Sequence, residues 1–435
     1  MHPTFSTRGL RRLAAGCSLV LGSLGAEQLA SAQALNMDQA VSVALQRNKD
    51  VIAAKLDIEA AQVDRISAGL YPNPTFSYSL GNIVLGSGNA QGMNLQPGAF
   101  SQTVHTFGVS DVIDIWNKRG ARIQAADKGV ELKRLQVEDA LREIAHSVRS
   151  ACADVMREQT EDDLAREVAT HYSETVRLSR ARQKAGEISD AELRKIELEG
   201  LKYQTAVLDA DTELESAREK LVGLMGLPVV AADTIKVTEA APSRSKLSLR
   251  ALTVKAMEQR PDVRANKQAR MFADAQLSSA RREAYPDISL GVAYTHSGFT
   301  VSGDNPNSLA LTLSLPIPIF DRNQAGIGKA NVELRKADND AAKLVLNVEH
   351  EVAEAVRRGE RARMLLEIYE GGMLERAESA LKVTEKSYKA GAVSLLELLE
   401  AQRTYLETRA EYLKTQNVYV QARVDIVHAV GGSLP

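Results

Sequence analysis

Cysteine is almost absent from this sequence: its 435 residues hold two. Cys17 lies in the N-terminal leader, which leaves Cys152 alone in the rest of the chain. An exported chain with one cysteine has no internal disulfide, so packing must hold it together. Aromatic residues are scarce at 4%, low for a large globular core. Neither sign of charge dominates, since 54 Lys and Arg against 56 Asp and Glu leave a net charge of −2. A nucleic-acid binder carries a basic excess, so no nucleic-acid partner is expected. No stretch after the leader is apolar enough for a membrane-spanning helix, so any crossing of a bilayer must use β-strands. A nucleophile elbow, a zinc-protease motif and a phosphate-cradling loop are all missing, and Gly326-Ile327-Gly328-Lys329 is too short for the last. The histidines show no short ligand spacing. No catalysis, cofactor or bound metal is expected.

What is present begins with a leader. Arg8, Arg11 and Arg12 precede an apolar stretch from Leu13 to Ala26, and Ala30-Ser31-Ala32 is a small-residue cleavage site, so residues 1–32 read as a secretory signal. Cys17 after Ala14-Ala15-Gly16 loosely resembles a lipidation box, but too few residues separate it from Arg12 for an apolar region. Cys152 reads as a small buried helix residue.

The rest of the chain matches itself at a shift of a little over 200 residues. Ala44-Leu45-Gln46-Arg47-Asn48-Lys49-Asp50-Val51 aligns with Ala256-Met257-Glu258-Gln259-Arg260-Pro261-Asp262-Val263. Tyr71-Pro72 aligns with Tyr285-Pro286, and Ile115-Trp116-Asn117-Lys118 with Ile319-Phe320-Asp321-Arg322. Lys184-Ala185-Gly186-Glu187-Ile188-Ser189 aligns with Lys389-Ala390-Gly391-Ala392-Val393-Ser394. This internal duplication predicts a first repeat over 33–227, a linker over 228–247 and a second repeat over 248–435. Each repeat reads as a helical stretch (36–69 and 248–284), a Tyr-Pro stop, two strands around a Gly/Asn/Ser-rich loop, and a long helical hairpin. No proline lies between Pro97 and Pro228 or between Pro318 and Pro435, and the natural break in each stretch is the Ala-Gly pair at Gly186 and Gly391.

The strands alternate. Leu309, Leu311, Leu313, Leu315, Ile317 and Ile319 share one face, with Ala310, Thr312, Ser314, Pro316 and Pro318 on the other. The first-repeat counterparts of the apolar face are His105, Phe107, Val109, Asp111, Ile113 and Ile115. Such faces fit transmembrane strands, with a half-buried soluble sheet as the plainer alternative. Residues 117–184 form a proline-free rod of ~100 Å if helical. The return arms carry seams with spacings of three and four, Leu193-Ile196-Gly200-Tyr203-Val207-Ala210-Leu214 and Leu398-Ala401-Tyr405-Thr408-Tyr412-Thr415-Tyr419 among them, which suits antiparallel coiled-coil packing. Four strands cannot close a barrel, and open edges are not tolerated in lipid, so the chain must share a barrel with copies of itself.

These features resemble the TolC-type outer-membrane efflux proteins, over nearly the whole chain after the leader. The block Ser387-Tyr388-Lys389-Ala390-Gly391-Ala392-Val393-Ser394-Leu395-Leu396-Glu397 is similar to the family's periplasmic tip. Gly69-Leu70-Tyr71-Pro72-Asn73-Pro74, Ile113-Asp114-Ile115-Trp116-Asn117-Lys118-Arg119 and Leu315-Pro316-Ile317-Pro318-Ile319-Phe320-Asp321-Arg322 resemble the CzcC-like heavy-metal branch. That branch often has Gly-Gly where Trp116-Asn117 stand. The resemblance implies an α+β membrane protein: a trimeric outer-membrane β-barrel, four strands per chain, continuous with a long periplasmic α-helical coiled-coil barrel. It implies a passive duct that docks on a periplasmic adaptor and an inner-membrane resistance-nodulation-division pump and exports heavy-metal cations. A channel for drugs or a secreted polypeptide stays open as an alternative, and a periplasmic coiled-coil tether as a distant one.

The resemblance also marks residues. Glu192 and Glu397 stand six residues after the tip glycines, where the family places an acidic gate, and Asp190 and Tyr388 lie beside them. Rings of such carboxylates favour cations; solvated helix carboxylates are the plainer reading. Lys184, Ala185, Gly186, Ser189, Lys389, Ala390, Gly391 and Ser394 would form the adaptor contact, or only cap the helices. His146 and His350 occupy equivalent places in the two repeats, which raises a metal relay against simple duplicated packing.

Overall fold

The structure, a computed structural model, describes residues 34–83, 103–239, 243–298 and 304–432. The signal segment, Cys17, most of the loop after the first long strand and part of the 228–247 linker lie outside the described residues. In chain order the elements are β1 (Ala34–Leu35), α1 (Met37–Arg47), α2 (Lys49–Ala68), β2 (Thr75–Gly81), β3 (Val104–Ile113), α3 (Lys118–Lys184) and α4 (Asp190–Leu224). A short 3₁₀ turn follows at Val229–Thr234, then β4 (Lys236–Val237), α5 (Leu249–Gln259), α6 (Pro261–Glu283), β5 (Ile288–Ser297), β6 (Asn307–Ser314), α7 (Gln324–Ile368), α8 (Leu374–Lys389) and α9 (Leu395–Val430). The chain divides into two compact units. The tip unit takes the described parts of Met1–Arg47, Ser147–Ser243 and Leu365–Gln421; the sheet unit takes those of Asn48–His146, Arg244–Met364 and Ala422–Pro435.

The sheet is antiparallel throughout, in the order β2-β3-β5-β6, with β2 and β6 at its edges. Its register aligns the period-2 pattern into rows. On one face Phe76, Val109, Val292 and Leu311 form a row, and Tyr78, Phe107, Tyr294 and Leu309 the next. On the other face the rows are Thr75-Ser110-Gly291-Thr312, Ser77-Gly108-Ala293-Ala310 and Ser79-Thr106-Thr295-Ser308. That face is uncharged, small and rich in hydroxyls. Its glycines keep it low: a Cβ on Gly291 would stand 2.5 Å from Thr312 Oγ1, and one on Gly108 2.6 Å from Ser77 Oγ, so either hydroxyl would have to turn away.

Two strand ends differ from expectation. The alternation continues to Ile319, yet β6 stops at Ser314, because Pro316 and Pro318 have no N–H to give a ladder. β3 stops at Ile113 rather than Ile115, and Asp114 turns to the next helix, accepting from the N–H groups of Lys118 (2.8 Å) and Arg119 (2.7 Å). The turn into α3 places Asn117 at φ 53°, and the turn into α7 places Asn323 at φ 55°. The structural counterpart of Asn117 is therefore Asn323, not the Asp321 that sequence alignment pairs with it.

The first helical stretch of each repeat is two helices, not one. Asn48 ends α1 and caps α2, its side-chain oxygen accepting from Asp50 N at 2.7 Å and Val51 N at 3.4 Å. Arg260 separates α5 from α6, and Pro261 opens α6, where a missing N–H costs nothing. α3 is a single 67-residue helix. Its counterpart is broken: the π turn Tyr369–Met373 divides α7 from α8, with Gly372 at φ 116°. Two adjacent glycines without Cβ atoms make that excursion cheap in an otherwise helical run.

The sheet unit packs around Leu252 and Ala256 of α5, Val263 of α6, Val348, Val352 and Val356 of α7, and Ile426 and Val430 of α9. In the return arms the seam residues are buried or half-buried, with Ile196, Leu214 and Leu221 in α4 and Leu398, Thr415 and Tyr419 in α9 among the buried ones. Cys152 is buried, and burial pushes its thiol up to about 12, so it is an inert packing residue.

Candidate functional site

The two turns between long helices lie in the tip unit and share one design. After α3, Gly186 takes φ 77°, its N–H donates to Gln183 O (2.9 Å), and Glu187 N donates to Arg182 O (2.9 Å). After α8, Gly391 takes φ 75°, its N–H donates to Tyr388 O (3.0 Å), and Ala392 N donates to Ser387 O (2.9 Å). The left-handed residue lets each chain reverse while the last carbonyls stay bonded. Lys184, Ala185, Gly186, Ser189, Lys389, Ala390, Gly391 and Ser394 are all exposed.

The two glutamates that sequence treats alike are held differently. Glu192 closes a capping box: its Oε2 accepts from Ser189 N and Ser189 Oγ, both at 2.9 Å, while its own N–H donates to Ser189 Oγ at 3.2 Å. The backbone bond from Ser189, then its hydroxyl, hold the Glu192 carboxyl below the usual carboxylate range. Glu397 is exposed, and only its N–H is engaged by the cap, donating to Ser394 Oγ at 3.3 Å. Asp190 accepts from Gln183 Nε2 at 2.8 Å.

Tyr388 is buried, packed with Ile196, Leu395 and Leu398. The Arg182 guanidinium lies over its ring, 4.6 Å from the centroid, and Arg182 Nε donates to Glu187 Oε2 at 2.8 Å. Arg182 Nη1 and Tyr388 Oη are both buried at this contact. The structure thus brings Tyr388 to the first hairpin through Arg182. Sequence reasoning passed over Arg182 and Glu187; their signal was an opposite-charge pair across the glycine.

The histidines pair differently from the alignment. His146 stacks on His428, not on His350, with ring centroids 4.1 Å apart, while His350 is exposed. Lone pairs of stacked rings do not converge on one ion. Among the described residues no group of three or more His, Cys, Asp or Glu fits a metal. Around the pair, His428 Nε2 meets Glu143 Oε1 at 3.0 Å, Asp425 lies 3.9 Å from His146 Nε2, Arg142 Nη1 donates to the His428 carbonyl at 3.1 Å, and Arg358 holds Asp425 at 2.8 Å. Burial, then the neighbouring His428, push His146 below its ordinary value. A neutral buried imidazole resists the proton that an unfolded one accepts near pH ~6.5, so stability falls as pH drops below that value. The unfolding temperature should decline more steeply between pH 7.5 and 5.5 for the parent than for His146→Gln; parallel curves would remove His146 as the cause.

The chain thus combines a four-stranded sheet, one face of which is largely apolar, with long helical hairpins that end in exposed turns. The sequence model of the outer membrane efflux proteins matches residues 40–227 and again 252–432. The chain belongs to this family, and its place is the outer membrane. It is 24% identical over 398 residues to the cobalt-zinc-cadmium resistance protein CzcC of Cupriavidus metallidurans, covering 91% of this chain and 90% of that one. It is 23% identical over 414 residues to the pyoverdine export outer membrane protein OpmQ of Pseudomonas putida, covering 91% and 86%. The outer membrane protein VceC of Vibrio cholerae superimposes with a TM-score of 0.75 at 18% identity, covering 91% of this chain and 96% of that one. The first of these is named for metal resistance and the second for pyoverdine export.

Proposed function

We propose that three copies of this chain form one passive duct that carries heavy-metal cations out of the cell. The observation that carries the oligomer is the open sheet. β2 and β6 are edges, and an apolar face on four strands cannot sit in lipid with two unpaired edges. Three copies supply twelve strands, enough to close a barrel. The sequence boundaries 33–227, 228–247 and 248–435 then describe two repeats that each contribute two strands and a helical hairpin to the tube. The exposed turn residues around Gly186 and Gly391 are the contact for a periplasmic adaptor, coupled to a resistance-nodulation-division pump. Glu397, with its carboxylate outside the cap, is the better gate residue; Glu192 serves its helix first, with Asp190 and Tyr388 beside the entrance.

Support for a metal cargo comes from the match to a cobalt-zinc-cadmium resistance protein over nine-tenths of the chain. A second reading, an organic cargo, is favoured by the pyoverdine exporter at nearly the same identity. A strain lacking the chain separates them when grown against divalent metals and hydrophobic antibiotics. Selective sensitivity to metals, restored by the parent chain, is the expected result; sensitivity to antibiotics alone moves the duct to organic cargo. Glu397→Ala should alter metal tolerance at unchanged protein level. Glu192→Ala should also destabilise the α4 start through the lost capping-box bonds to Ser189, which unfolding of the purified variant would register.

A further inference from the structure

We infer that the junction between the sheet and its helices is a belt that binds anionic phospholipid, taking acyl chains on exposed apolar side chains and lipid phosphates on three arginines. The belt rests on the duct reading, in which the apolar face of the sheet meets lipid. That face does not end with the ladder. Beyond β6, Leu315, Ile317 and Ile319 remain exposed, and Phe320 is 89% exposed. Tyr71, Ile115, Trp116 and Tyr285 at the same junction are exposed too. Trp116 stacks on Tyr285 with ring centroids 4.8 Å apart, and its Nε1 donates to the Pro286 carbonyl at 3.1 Å. An open groove of about 540 Å³ is lined by Tyr285, Pro286, Ile317, Ile319 and Phe320, with Lys118 among its polar residues. A contiguous exposed patch of this kind marks an interaction surface. Tyrosine and tryptophan, apolar in body and polar at one end, suit the boundary between lipid and water. α3 begins just after Trp116 and α7 just after Arg322, so the belt lies on the helical, periplasmic side of the sheet.

Charge selects the kind of lipid. Arg119 lies over the Tyr71 ring, 4.3 Å from its centroid, and its Nε donates to the Gly69 carbonyl at 2.6 Å. Arg282 Nη1 donates to the Trp116 carbonyl at 2.8 Å, and Arg322 Nε to the Pro318 carbonyl at 3.2 Å. Each guanidinium is thus fixed to the main chain of the belt and keeps further N–H donors. The carboxylates of the junction are engaged elsewhere. Glu283 pairs with Lys118 and Arg122, and Asp287 with Lys118. Asp114 and Asp321 accept from main-chain N–H groups of the turns that follow them. Among the described residues no carboxylate lies within ion-pair distance of Arg119, Arg282 or Arg322. Three such charges beside exposed aromatic rings match a lipid phosphodiester, because a guanidinium donates paired N–H groups to phosphate oxygens. A zwitterionic lipid carries the same phosphate, but its own ammonium competes for it. An anionic phospholipid leaves the phosphate to the protein.

Trp116 is the one tryptophan of the sequence, so its fluorescence reads the belt directly. The test reconstitutes the full protein in vesicles and quenches that fluorescence with bromine-labelled phosphatidylglycerol or bromine-labelled phosphatidylcholine. Stronger quenching by the phosphatidylglycerol at equal mole fraction is the expected result, with relative affinity higher by about fivefold for each arginine in reach. High salt should shrink the preference. Arg322→Gln should lower it, and the triple variant Arg119→Gln, Arg282→Gln, Arg322→Gln should abolish it. Quenching of both variants by the phosphatidylcholine should match the parent, which separates a lost phosphate contact from a damaged fold. Equal quenching of the parent by the two lipids, or an undiminished preference in the triple variant, would overturn the belt. A preference removed by inorganic phosphate, but not by chloride at the same ionic strength, would give the arginines to free phosphate and overturn the lipid. Protein that floats with the vesicles yet is quenched by neither lipid would place another copy of the chain against Trp116; the belt would fall and the duct would stand. Protein that never inserts would overturn the duct reading, and the belt with it.

Discussion

Arg260→Met is expected to destabilise the sheet unit by about 3 kcal/mol, the lower end of the range for removing one partner of a buried ion pair. Arg260 is 2% exposed. Its guanidinium donates to both oxygens of Asp262 at 3.0 and 2.7 Å, to Glu351 at 2.6 Å and to the Ala429 carbonyl at 3.1 Å. One side chain thus ties the start of α6 to α7 and to the end of α9. Methionine keeps most of the volume and none of the bonds. Glu351 is half-exposed and recovers water, which is why the loss stays at the low end. Asp262 is more buried and keeps the Val263 N–H at 2.9 Å and, as a charge partner, the distant Arg142 at 3.8 Å. Burial alone would raise the Asp262 carboxyl; the hydrogen bonds and charge of Arg260 outweigh it and hold it below the usual range. That contribution is present above pH ~4 and is lost as pH falls through the lowered value, so the variant should also lose part of the parent's acid sensitivity. Arg260→Lys should recover little, since an ammonium cannot make the forked contact. Urea unfolding measures both; a loss below 1 kcal/mol for Arg260→Met would show that the cluster is dispensable.

Ile426→Ala is expected to cost about 2 to 5 kcal/mol, the range for emptying a fully buried aliphatic site. Ile426 is fully buried in the core between α5, α7 and α9. A Cβ on Gly359 would stand 3.2 Å from Ile426 Cδ1 and 3.7 Å from Ala422 Cβ. The neighbours on that side are as small as they can be, so none can swing in to refill the space. Gly359→Ala places a methyl against the same side chain, and its sign reads whether Ile426 Cδ1 can give by a few tenths of an ångström. A cost under 1 kcal/mol for Ile426→Ala would mean that α7 and α9 close over the gap.

Much of this architecture was legible because it rests on periodicity. The seam from Leu193 to Leu224 reads as the inner side of α4, and the structure buries or half-buries those positions. The alternation through Phe107 and Leu309 reads as one face of a sheet, and the register makes it so. Failures came where a single residue overrides the pattern. Pro316 keeps the apolar alternation of its strand but has no N–H to extend it. Gly372 sits in a helical sequence that looks continuous, and its φ is visible only in three dimensions. At the tip, sequence symmetry suggested two equal glutamates; Ser189 claims one of them through a capping box that Ser394 does not repeat in full. Tyr388 was legible as a residue of interest, but Arg182, its stacking partner, comes from a different hairpin, and no local spacing links them. His146 likewise finds His428 rather than its repeat equivalent, because duplication relates positions, not contacts.

The hydroxyl-bearing rows of the sheet also bear on how the protein reaches its destination. A chain bound for the outer membrane must first be threaded through the inner one, where a long enough apolar segment would be retained as a helix. In β5 and β6 every second side chain is Ser, Thr, Gly or Ala, and no described helix is long and apolar enough to cross a bilayer. Each strand therefore presents its apolar residues diluted by half to the secretion machinery. Only when strands pair do those residues gather on one side and become a surface that lipid can wet.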